Sequence, residues 1–139
     1  MATATVRKQE ELFRSVLGAD YGAVLKAILE ERLIGEQDMV KVVNSLLHVF
    51  AASKSDVYAL LGVSSSRVSR RPQMDVDVLD RAGAALKLFA RVSAMIGEEG
   101  ASSWFSRPNQ HLDGKRPFDL LGSSLGQQTL SSMITALED

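Results

Sequence analysis

Between positions 65 and 71, Ser65, Ser66, Arg67, Ser69, Arg70 and Arg71 combine short hydroxyls with guanidinium groups. Hydroxyls of this length reach phosphate oxygens, and an arginine fork matches the acceptor edge of guanine, so the chemistry on offer is nucleic-acid reading. From Lys54 to Arg71 four cations stand against one acid, Asp56, a local charge of +3 in a chain whose net charge is −1. The chain as a whole is therefore not a polycation, and any DNA contact belongs to this patch. Two readings stand: a recognition helix, or the solvated basic end of a helical hairpin.

Other chemistries find less support. His48 and His111 lie far apart, with no partner ligands at helical spacing, so no metal site is expected. His48 sits on an apolar helix and reads as a residue at the edge of the core; His111 falls in a polar loop. Serines are plentiful, but none stands in a nucleophile elbow, and no Ser, His and Asp set is suggested by order or context. Asp113, Gly114 and Lys115 lack the glycine pattern of a phosphate loop. Gly122 and Gly126 flank two serines ahead of a helix, which would hold an anion or simply cap that helix. No catalytic residue, metal or cofactor is expected, and the chain does not read as an enzyme.

The elements that must position these residues are helical. At 139 residues the chain has the size of one domain, and 45% hydrophobic with 24% charged residues is ordinary for a globular protein. It has no cysteine, which fits a reducing cytoplasm. The opening MATATVRKQEELF lacks the apolar core of a signal peptide, and no apolar run approaches the ~20 residues that span a bilayer.

Residues 21–34 place Val24, Leu25, Ile28, Leu29 and Leu33 on one face, with Gly35 as a stop. Asp38 caps a second helix over 39–52 whose inward residues are Val42, Val43, Leu46, Leu47 and Phe50. Two short helices, 55–61 and 65–71, are parted by Gly62, Val63 and Ser64, the grammar of a helix-turn-helix over 54–71. Val57, Leu61, Val63 and Val68 are its buried positions and Ser64 its second N-cap. Tyr58 and Arg71 depart from the motif, which prefers a small and an apolar residue there.

Asp75 opens the longest helix, 76 to about 96, with a stripe through Leu79, Ala82, Leu86, Phe89, Val92 and Ile96, ended by Gly97 and Gly100. Ser124, with Gln127 three residues on, reads as a capping box for a last helix carrying Leu130, Met133, Ile134 and Leu137. The fold expected is all-α, divided into a helical region with the helix-turn-helix (1–72) and a connecting helix with a small C-terminal domain (73–139).

The stretch from Trp104 to Leu130 holds the only tryptophan, two of three prolines and three of ten glycines. Pro108 closes the helix of Trp104 and Phe105, Asp113-Gly114 is a turn signal, and Pro117 suits a first helical position. Short helices stitched by rigid loops result, with Trp104 and Leu112 as anchors or as closures of the core.

This order of residues (Trp104, Phe105, Pro108, Asn109, Leu112, Gly114, Pro117, Leu120, Leu121, Gly122 and Gly126) resembles the C-terminal domain of the Xre/MbcA/ParS antitoxins. Asp80-Arg81 resembles a pair at the start of that family's connecting helix. The resemblance implies an antitoxin that docks on a RES-domain toxin, an NAD-consuming enzyme, and closes its active site. It implies a helix-turn-helix half that mediates assembly and, in several members, represses the operon. Trp104, Leu112, Gly114, Pro117 and Leu121 would shape the docking module, while Leu137, Glu138 and Asp139 would approach the toxin pocket. The alternative is a stand-alone transcriptional regulator. Partner binding also implies exposed apolar surface on the free chain, hence self-association with a symmetric homodimer as the default.

Overall fold

A computed structural model describes residues 3–31, 38–70 and 73–138 of the chain. Seven α-helices follow in order: α1 (Ala4–Leu12), running into a π-helical turn at Phe13–Leu17, α2 (Tyr21–Leu29), α3 (Met39–Phe50), α4 (Lys54–Leu61), α5 (Ser65–Arg70), α6 (Val76–Ser106) and α7 (Ser124–Glu138). Short 3₁₀ turns at Gln110–Leu112 and Pro117–Leu120 link α6 to α7. Among the described residues there is no strand, and the all-α expectation holds.

The helix starts follow side-chain chemistry. Asp20, Asp38, Ser53 and Asp75 each accept a backbone N–H of the helix they precede, relieving amides that have no intrahelical partner. Ser64 does the same for α5 through Arg67 N at 3.1 Å. The expected cap of α7 moves by one position. Gly126 N donates to Ser123 Oγ at 3.0 Å, and the Gln127 amide instead donates to Leu121 O at 2.8 Å.

Helix α6 is the spine against which α1, α2, α3, α4 and α7 pack. Its expected end at Gly97 is a break rather than a stop: Gly97 lies at φ 83°, ψ 168°, a conformation open to glycine, and helix resumes through Ser106. Gly100 therefore lies inside the second segment, where an added Cβ would meet the Ile96 side chain at 3.0 Å.

One buried cluster runs through all of these helices, and Phe50 stands at its aromatic centre. Its ring meets Phe89 (5.0 Å), Phe105 (5.2 Å) and Phe118 (5.4 Å) edge-on, joining α3 to both segments of α6 and to the Pro117 turn. Such edge-to-face pairs add to the burial of each ring.

The expected burial of Leu25, Leu29, His48 and Ile96 needs correction. Leu25 and Leu29 point outward while Val24 and Ala27 are buried, because α2 is apolar on most sides and periodicity alone cannot choose its inner face. Leu33 and Gly35 lie outside the described residues. His48 is exposed, two residues from both Leu46 and Phe50 and so near the opposite side of α3. Ile96, at the break in α6, and Leu137, at the end of α7, are 54% and 58% exposed.

Candidate functional site

The C-terminal region is built on Phe105, which is fully buried and holds Trp104 edge-on at 5.0 Å. Trp104 is thereby half-buried, one part on the core and the rest at the surface. Ser102 Oγ donates to Val49 O at 2.7 Å, fastening this segment of α6 to the end of α3.

The loop after α6 closes on Asn109. Its backbone oxygen accepts Leu112 N and Gly114 N at 3.0 Å each, and its N–H donates to Lys115 O at 2.9 Å. Its side chain accepts His111 N at 2.9 Å. Asp113 (φ 55°) and Gly114 (φ 82°) make the left-handed turn that permits this closure. Leu112 is half-buried against the core and His111 is exposed. Both anchors thus lean on the core, and each keeps a surface outward.

Arg116 fastens this module to α4. Its guanidinium donates to both carboxylate oxygens of Asp56 (3.0 and 3.2 Å) and to Asp119 at 2.6 Å, and it lies 5.6 Å over the Phe118 ring. These bonds hold Asp56 and Asp119 below the usual carboxylate range, against the opposing pull of burial. Hydrogen bonds to the two acids raise the Arg116 pKa further above its already high value. Pro117 opens the following turn, buried with Phe118 and Leu121. Gly126 fits where an added Cβ would stand 2.1 Å from Leu120 O, so that glycine serves close packing of α7 on the turn.

Helix α7 is tied to α6 by Arg91. Its guanidinium donates to Glu138 (2.7 and 3.3 Å), Ser131 Oγ (2.8 Å) and Thr135 Oγ1 (2.8 Å). The Glu138 carboxyl is held below its ordinary pKa by Arg91. Glu138 is therefore engaged within the chain, while its neighbour Leu137 is open. Asp139 lies outside the described residues.

Met95, Ile96, Trp104 and Leu137 line an open groove of about 730 Å³, with Arg91, Glu138 and residues 3–5 of α1 also lining it. An adjoining hollow of about 630 Å³ shares Ile96 and Trp104 and extends to Arg107, Pro108 and Asn109. The groove itself is mostly apolar, and its Arg91 and Glu138 pair with each other, while the hollow adds the exposed Glu99 and Arg107 at the edge. The groove suits an apolar protein segment better than a charged ligand.

Residues 91–139 match the family model described as the antitoxin Xre/MbcA/ParS C-terminal toxin-binding domain. In this segment the chain is similar to the toxin-binding domain of the Xre/MbcA/ParS antitoxins. No curated protein matches the chain. Of the residues expected to dock the toxin, Trp104, Leu137 and Glu138 line one groove, whereas Leu112 and Gly114 lie in the loop after α6 and Pro117 and Leu121 are buried at the following turn. Sequence reasoning missed three residues of this region. Ile96 reads as part of the core stripe by its spacing, and nothing near Arg91 marks it; Arg116 stands three residues before Asp119, a pattern for a capped turn.

The basic patch is arranged differently. Gly62 (φ 70°) turns the chain between α4 and α5, and Arg81 Nη1 donates to Leu61 O at 3.0 Å, a cation placed at the C-terminal end of α4. Val57, Leu61 and Val68 are buried; Tyr58 and Val63 are half-buried. Ser65, Ser66, Ser69 and Arg70 are exposed on α5. Arg67 is not presented outward as expected: its guanidinium donates to Gln73 O (3.2 Å) and pairs with Asp75 (3.5 Å). Arg71 lies outside the described residues. Among the described residues no helix is long and apolar enough to cross a membrane, and no cluster of three or more metal-ligating side chains is present.

Proposed function

We propose that this chain is the antitoxin of a toxin–antitoxin pair and neutralises a RES-domain, NAD-consuming toxin by docking its C-terminal module over the toxin's active site. The observation that carries the antitoxin role is the match of residues 91–139 to a toxin-binding domain. Its geometric support is the apolar surface around Trp104, Ile96 and Leu137, held in shape by Arg91, Asn109, Phe105 and Arg116. A surface ordered in advance loses little conformational freedom on association. The choice of a RES-domain toxin rests on the resemblance of the Trp104-to-Gly126 pattern. The test is co-expression with the product of the adjacent gene: a stable complex and relief of NAD loss support the reading, and their absence contradicts it.

In the same proposal α4 and α5 form a helix-turn-helix that represses the operon in a homodimer. A second reading, a regulator with no toxin partner, is favoured by the exposure of Ser65, Ser66, Ser69 and Arg70 on one short helix. Operator binding by the chain in the absence of any complex with the adjacent product would favour that reading.

A further inference from the structure

The groove around Trp104 is not made by the toxin-binding domain alone. Its lining includes Thr3, Ala4 and Thr5, from the first turn of α1, about ninety positions before the first residue of the matched segment. This turn is a formed element: Thr3 Oγ1 accepts Val6 N at 3.1 Å and starts the helix. It is also fixed to the spine. Helix α1 packs along α6, Leu12 is buried, and Lys8 pairs with Glu98, the residue directly after the Gly97 break. The same break leaves Ile96 at the surface.

We propose that the first turn of α1 is part of the toxin-docking site, so that the toxin contacts a composite surface of residues 3–5 with Ile96, Trp104 and Leu137. This inference rests on the antitoxin reading above and extends it to an element outside the toxin-binding domain. The occupant is an apolar segment of the protein toxin. Two observations fix that choice. The groove is continuous with the domain whose family binds toxins, and its only described ion pair, Arg91 with Glu138, is closed on itself and offers no net charge to a charged ligand. Lys8 is a positioning residue in this arrangement, holding α1 beside the groove through Glu98.

The test uses the full chain co-purified with the product of the adjacent gene as the binding probe. Thr5→Arg places a long cation in the groove, whereas Val6→Arg places the same group on another side of α1, among Arg7, Glu10 and Arg14. Thermal melts of the free variants establish that both fold. Thr5→Arg is expected to weaken the complex about thirtyfold or more, the size of an interface hot spot, and Val6→Arg to leave it unchanged. Ile96→Arg reports on the groove itself. If Ile96→Arg breaks the complex and Thr5→Arg does not, the composite site is wrong and the antitoxin reading stands. If neither changes binding, or the wild-type chain forms no complex, the docking reading fails and the inference with it. If Thr5→Arg instead converts a self-associated chain to monomer with toxin binding intact, the groove joins two copies of this chain and the proposal is overturned.

Discussion

The two surfaces of this molecule treat their side chains in opposite ways. Around Trp104 the polar groups are consumed internally: Asn109 closes its loop, Arg116 bridges Asp56 and Asp119, and Arg91 holds Glu138. What faces the groove outward is mostly apolar, namely Ile96, Leu137 and one side of Trp104, with Glu99 and Arg107 at its edge. On α5 the apolar Val68 is buried and short hydroxyls with Arg70 face water. The first surface suits a protein partner, which rewards burial of apolar area, and the second suits a polyanion, which rewards loosely held cations. The difference also shows that charge counted along a sequence overstates charge available at a surface. Asp56, the apparent counterweight to the basic patch, is turned to Arg116, and Arg67 is turned to Asp75.

The largest effect should come from the frame beneath the first surface. Phe50→Ala removes the ring shared by Phe89, Phe105 and Phe118 and should cost about 3–5 kcal/mol, read as a lower denaturant midpoint. An unchanged midpoint would show that the two segments of α6 and the Pro117 turn do not depend on this cluster.

Arg116→Ala is the next step down, at about 1–2 kcal/mol, since its pairs are partly exposed and screened. It should also alter the pH profile. Asp56, Asp119 and Glu138 have pKa values lowered by folding, so each contributes stability that is complete above the ordinary carboxylate pKa of about 4. That contribution is lost as pH falls through this range toward the lowered values. The wild-type chain should therefore lose stability below about pH 5, and Arg116→Ala should flatten that loss. Equal slopes in both proteins would remove Arg116 as the cause.

The smallest effects sharpen the second surface. Arg70→Ala should weaken operator binding and reduce its salt dependence by about one phosphate's share, with the melt unchanged. Arg67→Ala should lower thermal stability slightly, by about 0.5 kcal/mol, because its guanidinium serves Gln73 and Asp75. Reversed outcomes for the two arginines would mean that Arg67 leaves its internal partners on DNA.

Much of the fold was legible because caps and breakers act locally. Asp38, Ser64, Asp75 and Pro117 each mark a boundary where the structure has one, and Gly97 marks a break within α6. The inner face of α2 was not legible, since apolar residues lie on most sides of the helix and only packing against α6 selects Val24 and Ala27. In the site, Trp104, Leu112 and Leu137 stood out by type and place. Arg91, Ile96, Arg116 and residues 3–5 did not, because their roles depend on contacts between segments 40 or more positions apart. Arg81 is similar: its bond to Leu61 O joins residues 20 apart, and nothing in its immediate neighbours announces it.

The central claim is that the apolar surface around Trp104, not the basic helix, holds the toxin. Calorimetric titration of the purified adjacent-gene product with the full chain carrying Ile96→Arg and Leu137→Arg tests it most directly, beside a chain carrying Arg70→Ala. The account predicts loss of measurable binding for the first, with its melt intact, and wild-type affinity for the second. Wild-type affinity for the Ile96→Arg, Leu137→Arg chain would contradict it.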